Sequence, residues 1–191
     1  MAPSPHPQWR VSGTHQAFGV REGNRSFTYD MPGDSLATFT WTTGPRAGRH
    51  LTELDPSAWT ASANPTGPTD PCCQGDVARN AVDDDATTRY STGAGQQPGQ
   101  YLQVDFGRPE QVRKLVFDTG VNLGDYPRGY SVTVSSDGTT WSSPVASGAG
   151  TGQLTAVTLS GAPVRFVRMT LNAASGSWWS VADVRAYVAH R

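Results

Sequence analysis

An all-β sandwich is the fold class this sequence predicts, and three observations predict it. Gly (21) and Pro (14), with many Ser and Thr residues, disfavour long helices and favour short strands joined by turns. Strand-like runs recur at spacings of roughly ten to twenty residues, divided by Gly, Pro, Asn and Asp clusters. No segment carries a convincing helical period, and no internal repeat is visible.

The length of 191 residues suggests one domain, or one domain with an appendage, and is enough to bury a core without several covalent staples. Fifteen basic and 16 acidic residues are spread evenly, for a net charge of −1. There is no basic patch for nucleic acid and no basic amphipathic helix for a membrane surface. No apolar run approaches the roughly 20 residues of a membrane span. The opening residues, Met1 to Pro7, lack a charged region followed by an apolar one, so no secretory signal is expected there.

Taken in order, residues 1–9 hold Pro3, Pro5 and Pro7 without apolar periodicity and read as disordered. A hairpin is expected next. Ser26–Met31 alternates, Pro32-Gly33-Asp34 turns, and Ser35–Trp41 alternates again. Phe27, Tyr29 and Met31 share one face, as do Ala37, Phe39 and Trp41. Two strands are marginal alone, so these faces need something to pack on. Residues 42–52 have linker composition.

From there the strand candidates are Trp59–Ala63, Tyr101–Phe106, Val112–Asp118, Tyr130–Ser135, Leu154–Leu159, Val164–Leu171 and Asp183–Val188. Gln103, Asp105, Arg165 and Arg168 alternate with apolar neighbours, as in sheets with one wet face. Ser136-Asp137-Gly138-Thr139 makes a short turn before Trp141.

Residues 80–90 concentrate oxygen: Asp83, Asp84 and Asp85 run consecutively, followed by Thr87 and Thr88. A hard cation such as Ca²⁺ takes six to eight oxygens, and Asp83, Asp85 and Thr88 are spaced to wrap one. A solvated, Asp-rich turn has the same composition. An EF-hand loop is excluded, because no Gly stands at the sixth position from Asp83 and Ala94 occupies the place of the bidentate Glu. The two cysteines, Cys72 and Cys73, are adjacent. Neighbouring Cα atoms lie about 3.8 Å apart, which leaves two readings: two thiols, or a strained eight-membered ring.

Catalysis is not expected. His6, His15, His50 and His190 all fall outside residues 53–189, which removes the commonest general base from that stretch. Glycoside hydrolysis needs two positioned carboxyl groups, and Glu22, Glu53 and Glu110 are the only glutamates. Adjacent cysteines without a nearby histidine suit neither a nucleophile nor a zinc site.

Two resemblances add to this. Residues 27–41, "FTYDMPGDSLATFTW", resemble the closing strands of the β-sandwich that follows the barrel in glycoside hydrolase family 30. That likeness implies that residues 1–41 are the tail of a preceding glycosidase sandwich. Residues 53–189 resemble the coagulation factor five/eight type C, or discoidin, domain, and within it carbohydrate-binding module family 32. The carrying motifs are "NAVDDDATTRYSTG" (80–93), "PGQYLQVDFG" (98–107), "DYPRGYSVTVSSDGTTW" (125–141), "VRFVRMTL" (164–171) and "WWSVADVRAYV" (178–188).

The second resemblance implies an eight-stranded antiparallel jelly roll, preceded by the hairpin and linker, with binding loops at one end. It also implies a structural Ca²⁺ held by the carbonyls of Asn80, Asp85 and Ala182, the carboxylates of Asp83 and Asp183, and Thr88. Asp84 stands where the family usually has Gly, and Asp183 where it has Glu. The expected function is a non-catalytic, monomeric module of a larger secreted glycoside hydrolase that binds polysaccharide or glycan. The extracellular setting follows from the same resemblance and would permit a Cys72–Cys73 disulfide. The alternatives are a discoidin-type adhesion domain for protein or lipid, or a C-terminal fragment of a glycosidase without its own activity.

The ligand residues are expected in the loops. Asp125, Tyr126 and Arg128 offer an acceptor, an aromatic face and a set of donors within four residues, which suits the hydroxyls and C–H face of a sugar. In the family's fold Trp178 lies near the same end and could supply a platform, whereas Trp179 points to the core. Gln97 is a further candidate for a polar contact. A competing role for Tyr126 and Arg128 is to close a hairpin against Trp141. The loops 64–76, 91–100 and 120–128 are otherwise small and polar, which favours sugar over lipid.

Overall fold

The computed structural model describes residues 8–11, 16–22, 25–31, 35–38 and 51–189. The chain divides into two compact units, Met1–Ala47 and Gly48–Arg191. In the first, four strands form: β1 (Gln8–Val11), β2 (Gln16–Glu22), β3 (Arg25–Met31) and β4 (Ser35–Thr38). The strands expected around Pro32-Gly33-Asp34 are present but do not pair with each other. β3 pairs with β2, and β4 pairs with β1. The β2–β3 register runs from Gln16↔Met31 to Glu22↔Arg25. Gln8 and Trp9, expected to be disordered, belong to β1. Phe39–Trp41 and residues 42–50 of the expected linker lie outside the described residues.

The second unit is an antiparallel β-sandwich of jelly-roll type. Its strands are β5 (Leu51–Glu53), β6 (Thr60–Asn64), β7 (Tyr90–Ser91), β8 (Tyr101–Glu110), β9 (Val112–Asp118), β10 (Tyr130–Ser135), β11 (Ala146–Gly148), β12 (Leu154–Thr158), β13 (Val164–Leu171), β14 (Ser180–Val181) and β15 (Asp183–Ala189). One sheet runs β11-β10-β13-β8-β6 and the other β12-β9-β15-β5; β7 and β14 form a short ladder. β9, β10 and β13 fall where the pattern of apolar residues places them. The last two residues of the expected linker, Leu51 and Thr52, are in β5.

The inner faces follow the period of two. β8 buries Leu102, Val104 and Phe106, β13 buries Val167, Met169 and Leu171, and β15 buries Val184 and Ala186. Trp59 meets Phe106 edge to face, with ring centroids 4.9 Å apart. Tyr90 meets Trp179 in the same way at 5.9 Å. Each such large side chain contributes about 1.5–3 kcal/mol of burial. The wet face of the five-stranded sheet carries paired charges. Arg165 makes a double hydrogen bond to Asp105 (2.8 and 2.9 Å), which holds the Asp105 carboxyl below its usual range. Arg168 lies between the rings of Tyr101 (4.5 Å) and Trp141 (4.0 Å). Trp141 therefore packs on β13 and does not close a hairpin with Tyr126 and Arg128.

β15 links the two ends of the unit. Its first residue, Asp183, adjoins the loop end, and its last, Ala189, is the register partner of Leu51 on β5. At 3.3 Å per residue these ends lie about 20 Å apart.

Candidate functional site

Three loops converge at the end where β8 and β15 begin, and a glutamine holds them together. Gln96 is fully buried, at 0% exposure. Its Nε2 donates to the carbonyls of Tyr126 (3.0 Å) and Trp178 (2.9 Å), and its Oε1 accepts from the backbone N–H of Arg128 (2.9 Å). Its own N–H donates to Ser177 O (3.1 Å), and its carbonyl accepts from Ser175 N–H (3.0 Å). One side chain thus fixes the backbone at three of the expected ligand residues. Gln97, the neighbour expected to take part, is exposed, and its backbone N–H bonds to Gln100 Oε1 (2.9 Å).

Around this clamp the expected residues gather. Asp125 Oδ2 accepts from Ser180 Oγ (2.6 Å) and lies 3.6 Å from Arg89 Nη1. Arg89 in turn donates through Nε to Asp76 Oδ2 (2.7 Å), which also accepts from Ser91 Oγ (2.8 Å). The Arg89 guanidinium sits 5.8 Å from the ring centre of Trp178, which is half-buried. Trp179 is 0% exposed and meets Tyr90 edge to face; it precedes β14, and the two residues after it, Ser180 and Val181, are buried as well.

Arg128 stacks 3.6 Å over the ring of Tyr126 and donates to Gly124 O (2.9 Å), Tyr126 O (3.3 Å) and Ser177 Oγ (3.2 Å). One face of Tyr126 is therefore covered by the guanidinium, and Trp178 is the second half-buried aromatic at this end. At the tip of the same loop Val121 is 81% exposed and Leu123 61%. Asp76, Arg89 and Gln96 escaped sequence reasoning. Their partners are distant in the chain, and a polar residue in a polar loop gives no sign of being a strut.

The turn before Asp76 contains the two cysteines, joined by a disulfide. Asp70 Oδ1 accepts from Cys72 N–H (3.0 Å), and Cys73 O accepts from Asp76 N–H (2.9 Å), so the ring leads directly into the carboxylate that holds Arg89.

The oxygen-rich turn is compact. Asp83 Oδ2 accepts from Thr88 Oγ1 (2.8 Å), which also lies 3.1 Å from Asp85 O. Asp84 has φ +60° and is the one non-glycine residue with positive φ among the described residues. Asp tolerates this left-handed conformation, which explains how it stands where Gly is usual. Asn80 uses its side-chain amide to tie Gly75 O (2.8 Å) and Arg89 O (2.9 Å).

Gly120 lies between this turn and Ala182. A Cβ placed on Gly120 would come within 2.8 Å of Ala182 Cβ and 3.5 Å of Ala86 O. Asp183 is pushed up to about 6, chiefly by burial, with Asp118, Glu53 and Asp84 adding to the effect and Arg185 opposing it. Arg185 Nε lies 3.1 Å from Asp183 Oδ2 but is misaligned for a hydrogen bond. Among the described residues no three His, Cys, Asp or Glu side chains converge on a metal position. The expected donors fit a hard cation in another way, with two carboxylates and the remaining oxygens from carbonyls and Thr88.

A family model for the F5/8 type C domain matches residues 58–184. The chain belongs to the F5/8 type C domain family. Solved structures of this type lie over the second unit. CpGH89CBM32-5 from Clostridium perfringens, in complex with GalNAc-β-1,3-galactose, is 19% identical with a TM-score of 0.60, covering 72% of this chain and 100% of that one. The family 32 carbohydrate-binding module of Clostridium perfringens NanJ, in complex with galactose, is 21% identical with a TM-score of 0.59, covering 73% and 100%. A chitosan-binding module derived from the chitosanase/glucanase of Paenibacillus sp. IK-5 is 24% identical with a TM-score of 0.60, again covering 73% and 100%. No curated protein matches the chain by sequence. These likenesses show that the F5/8 type C unit shares the fold of family 32 modules, and they extend to no ligand.

Proposed function

We propose that the F5/8 type C unit is a non-catalytic carbohydrate-binding module that targets a secreted glycoside hydrolase to polysaccharide or glycan. The observation that carries this reading is the convergence at Gln96, which brings half-buried Trp178, Asp125 and Arg128 to one loop end on a rigid sandwich. An aromatic surface beside fixed acceptors and donors suits a sugar ring, and two of the three solved structures named above carry galactose-containing ligands on the same fold. Such an open site binds weakly, at millimolar to tens of micromolar, or roughly −4 to −6 kcal/mol. Titration of galacto- and gluco-configured oligosaccharides into the protein is expected to show such binding, with Trp178→Ala weakening it about tenfold. A Trp178→Ala variant that binds as tightly as the parent would place the site elsewhere.

The same unit is proposed to hold one structural Ca²⁺ through Asn80, Asp83, Asp85, Thr88, Ala182 and Asp183. The ion would supply fixed positive charge that ties the early turn to the start of β15 and offsets the crowded carboxylates near Asp183. A hundredfold excess of metal over its Kd stabilises by about 2.7 kcal/mol. EDTA is therefore expected to lower the melting temperature by about 5–10 °C, at some 2–4 °C per kcal/mol for a chain of this size. An unchanged midpoint, in protein shown by metal analysis to be stripped, would refute the site.

The exposure of Val121 and Leu123 favours one second reading, an extracellular adhesion domain that inserts this loop tip into lipid. Co-sedimentation with phosphatidylserine vesicles, lost in a Val121→Ser/Leu123→Ser double variant, would support that reading over the glycan one.

A further inference from the structure

Resting on the glycan reading, we infer that the loop site selects an acidic saccharide, one bearing a carboxylate or sulfate, and that Arg128 is its anchor. The charges of the site are unevenly matched. Arg89 stands between two carboxylates, at 2.7 Å from Asp76 and 3.6 Å from Asp125. That run of three groups carries one net negative charge. Arg128 has no carboxylate within ion-pair distance among the described residues. Its three hydrogen bonds all go to neutral acceptors, Gly124 O, Tyr126 O and Ser177 Oγ.

A guanidinium has five N–H donors. Three bonds on Arg128 therefore leave two donors unspent. Its position is set in advance, because Tyr126 lies 3.6 Å beneath it and Gln96 holds its backbone N–H. The ordering cost of a long, flexible side chain is thus met before a ligand arrives. The unspent donors are Nε–H and one Nη1–H, on opposite edges of the guanidinium, so an anion is held by a single charge-assisted hydrogen bond and by the fixed charge. A neutral sugar would accept from Arg128 but leave its charge unmatched, whereas an anionic group neutralises it.

The test is calorimetric titration of the full chain with trigalacturonate, a sulfated galacto-oligosaccharide and a neutral galacto-oligosaccharide of equal length, at low and moderate salt. The acidic ligands are expected to bind at least tenfold more tightly than the neutral one at low salt, with the ratio shrinking as salt screens the charge. Which acidic ligand leads identifies the anion. Arg128→Gln should bring the ratio near one, and Arg128→Lys should restore part of it. Thermal midpoints close to the parent's would show that both variants fold. A ratio near one in the parent, or a ratio that survives Arg128→Gln, overturns the inference. If the neutral ligand binds equally well and Trp178→Ala weakens it, the glycan reading stands and only the charge selection falls. If no saccharide binds, both fail.

Discussion

Replacing Gln96 with leucine is expected to destabilise the second unit by about 3 kcal/mol, since a buried backbone group left without a partner costs roughly 1–3 kcal/mol. Two such groups lose theirs, the carbonyl of Trp178 and the N–H of Arg128, while the Tyr126 carbonyl keeps only the longer bond from Arg128 Nη1 at 3.3 Å. Relaxation of the loops recovers part of the sum, and removing the amide saves its own desolvation, so the total stays below the simple addition. At about 2–4 °C per kcal/mol the melting temperature should fall by roughly 10 °C. Gln97→Leu is the matched control. That side chain is exposed, and the change should stay within about 0.5 kcal/mol. A Gln96→Leu variant that melts within two or three degrees of the parent would show that the loops hold without the clamp.

The adjacent tryptophans should separate stability from binding. Trp179 is fully buried and stacks on Tyr90, so Trp179→Ala opens a large cavity between the sheets at a cost of about 3–5 kcal/mol. Trp178 is half-buried and loses its contact with Arg89 together with part of its burial, a smaller cost of about 1 kcal/mol. Urea midpoints should therefore drop sharply for Trp179→Ala and barely for Trp178→Ala, while the latter loses ligand. Equal destabilisation by both would mean that Trp178 is as much a part of the core as Trp179.

What the sequence disclosed follows from where the structural signal is stored. β10 and β13 alternate and β9 is a short apolar run, and the turn residues around them mark their ends, so the local sequence reveals all three to the residue. β5 and β11 bury almost nothing, and their identity rests on backbone ladders to a distant strand, which leaves no mark on local composition. The pairing of β3 with β2 was in principle legible from Gly23-Asn24, but Pro32-Gly33-Asp34 is the louder turn signal and misdirects the pairing.

In the loop end, side-chain chemistry pointed to Asp125, Tyr126, Arg128 and Trp178, which do lie together. The struts did not show. Gln96 works through carbonyls 30 and 82 residues away, and Asp76 through an arginine 13 residues on. Tyr126 also changes role. Its ring supports Arg128 and is covered on that face, a fact that no spacing rule contains.

The pairing of Leu51 with Ala189 bears on how the unit carries mechanical load. The polypeptide enters through β5 and leaves through β15 side by side, about 20 Å from the loop end. A pull between a tether at Leu51 and a partner gripped by the loops runs along the strands. Ladder hydrogen bonds lie across the strands, so that pull strains them together in shear and does not peel them one at a time. A tug between Leu51 and Ala189 themselves would unzip β5 from its edge, three residues at most. The unit is thus built to resist force from the loops and to yield at its own doorway.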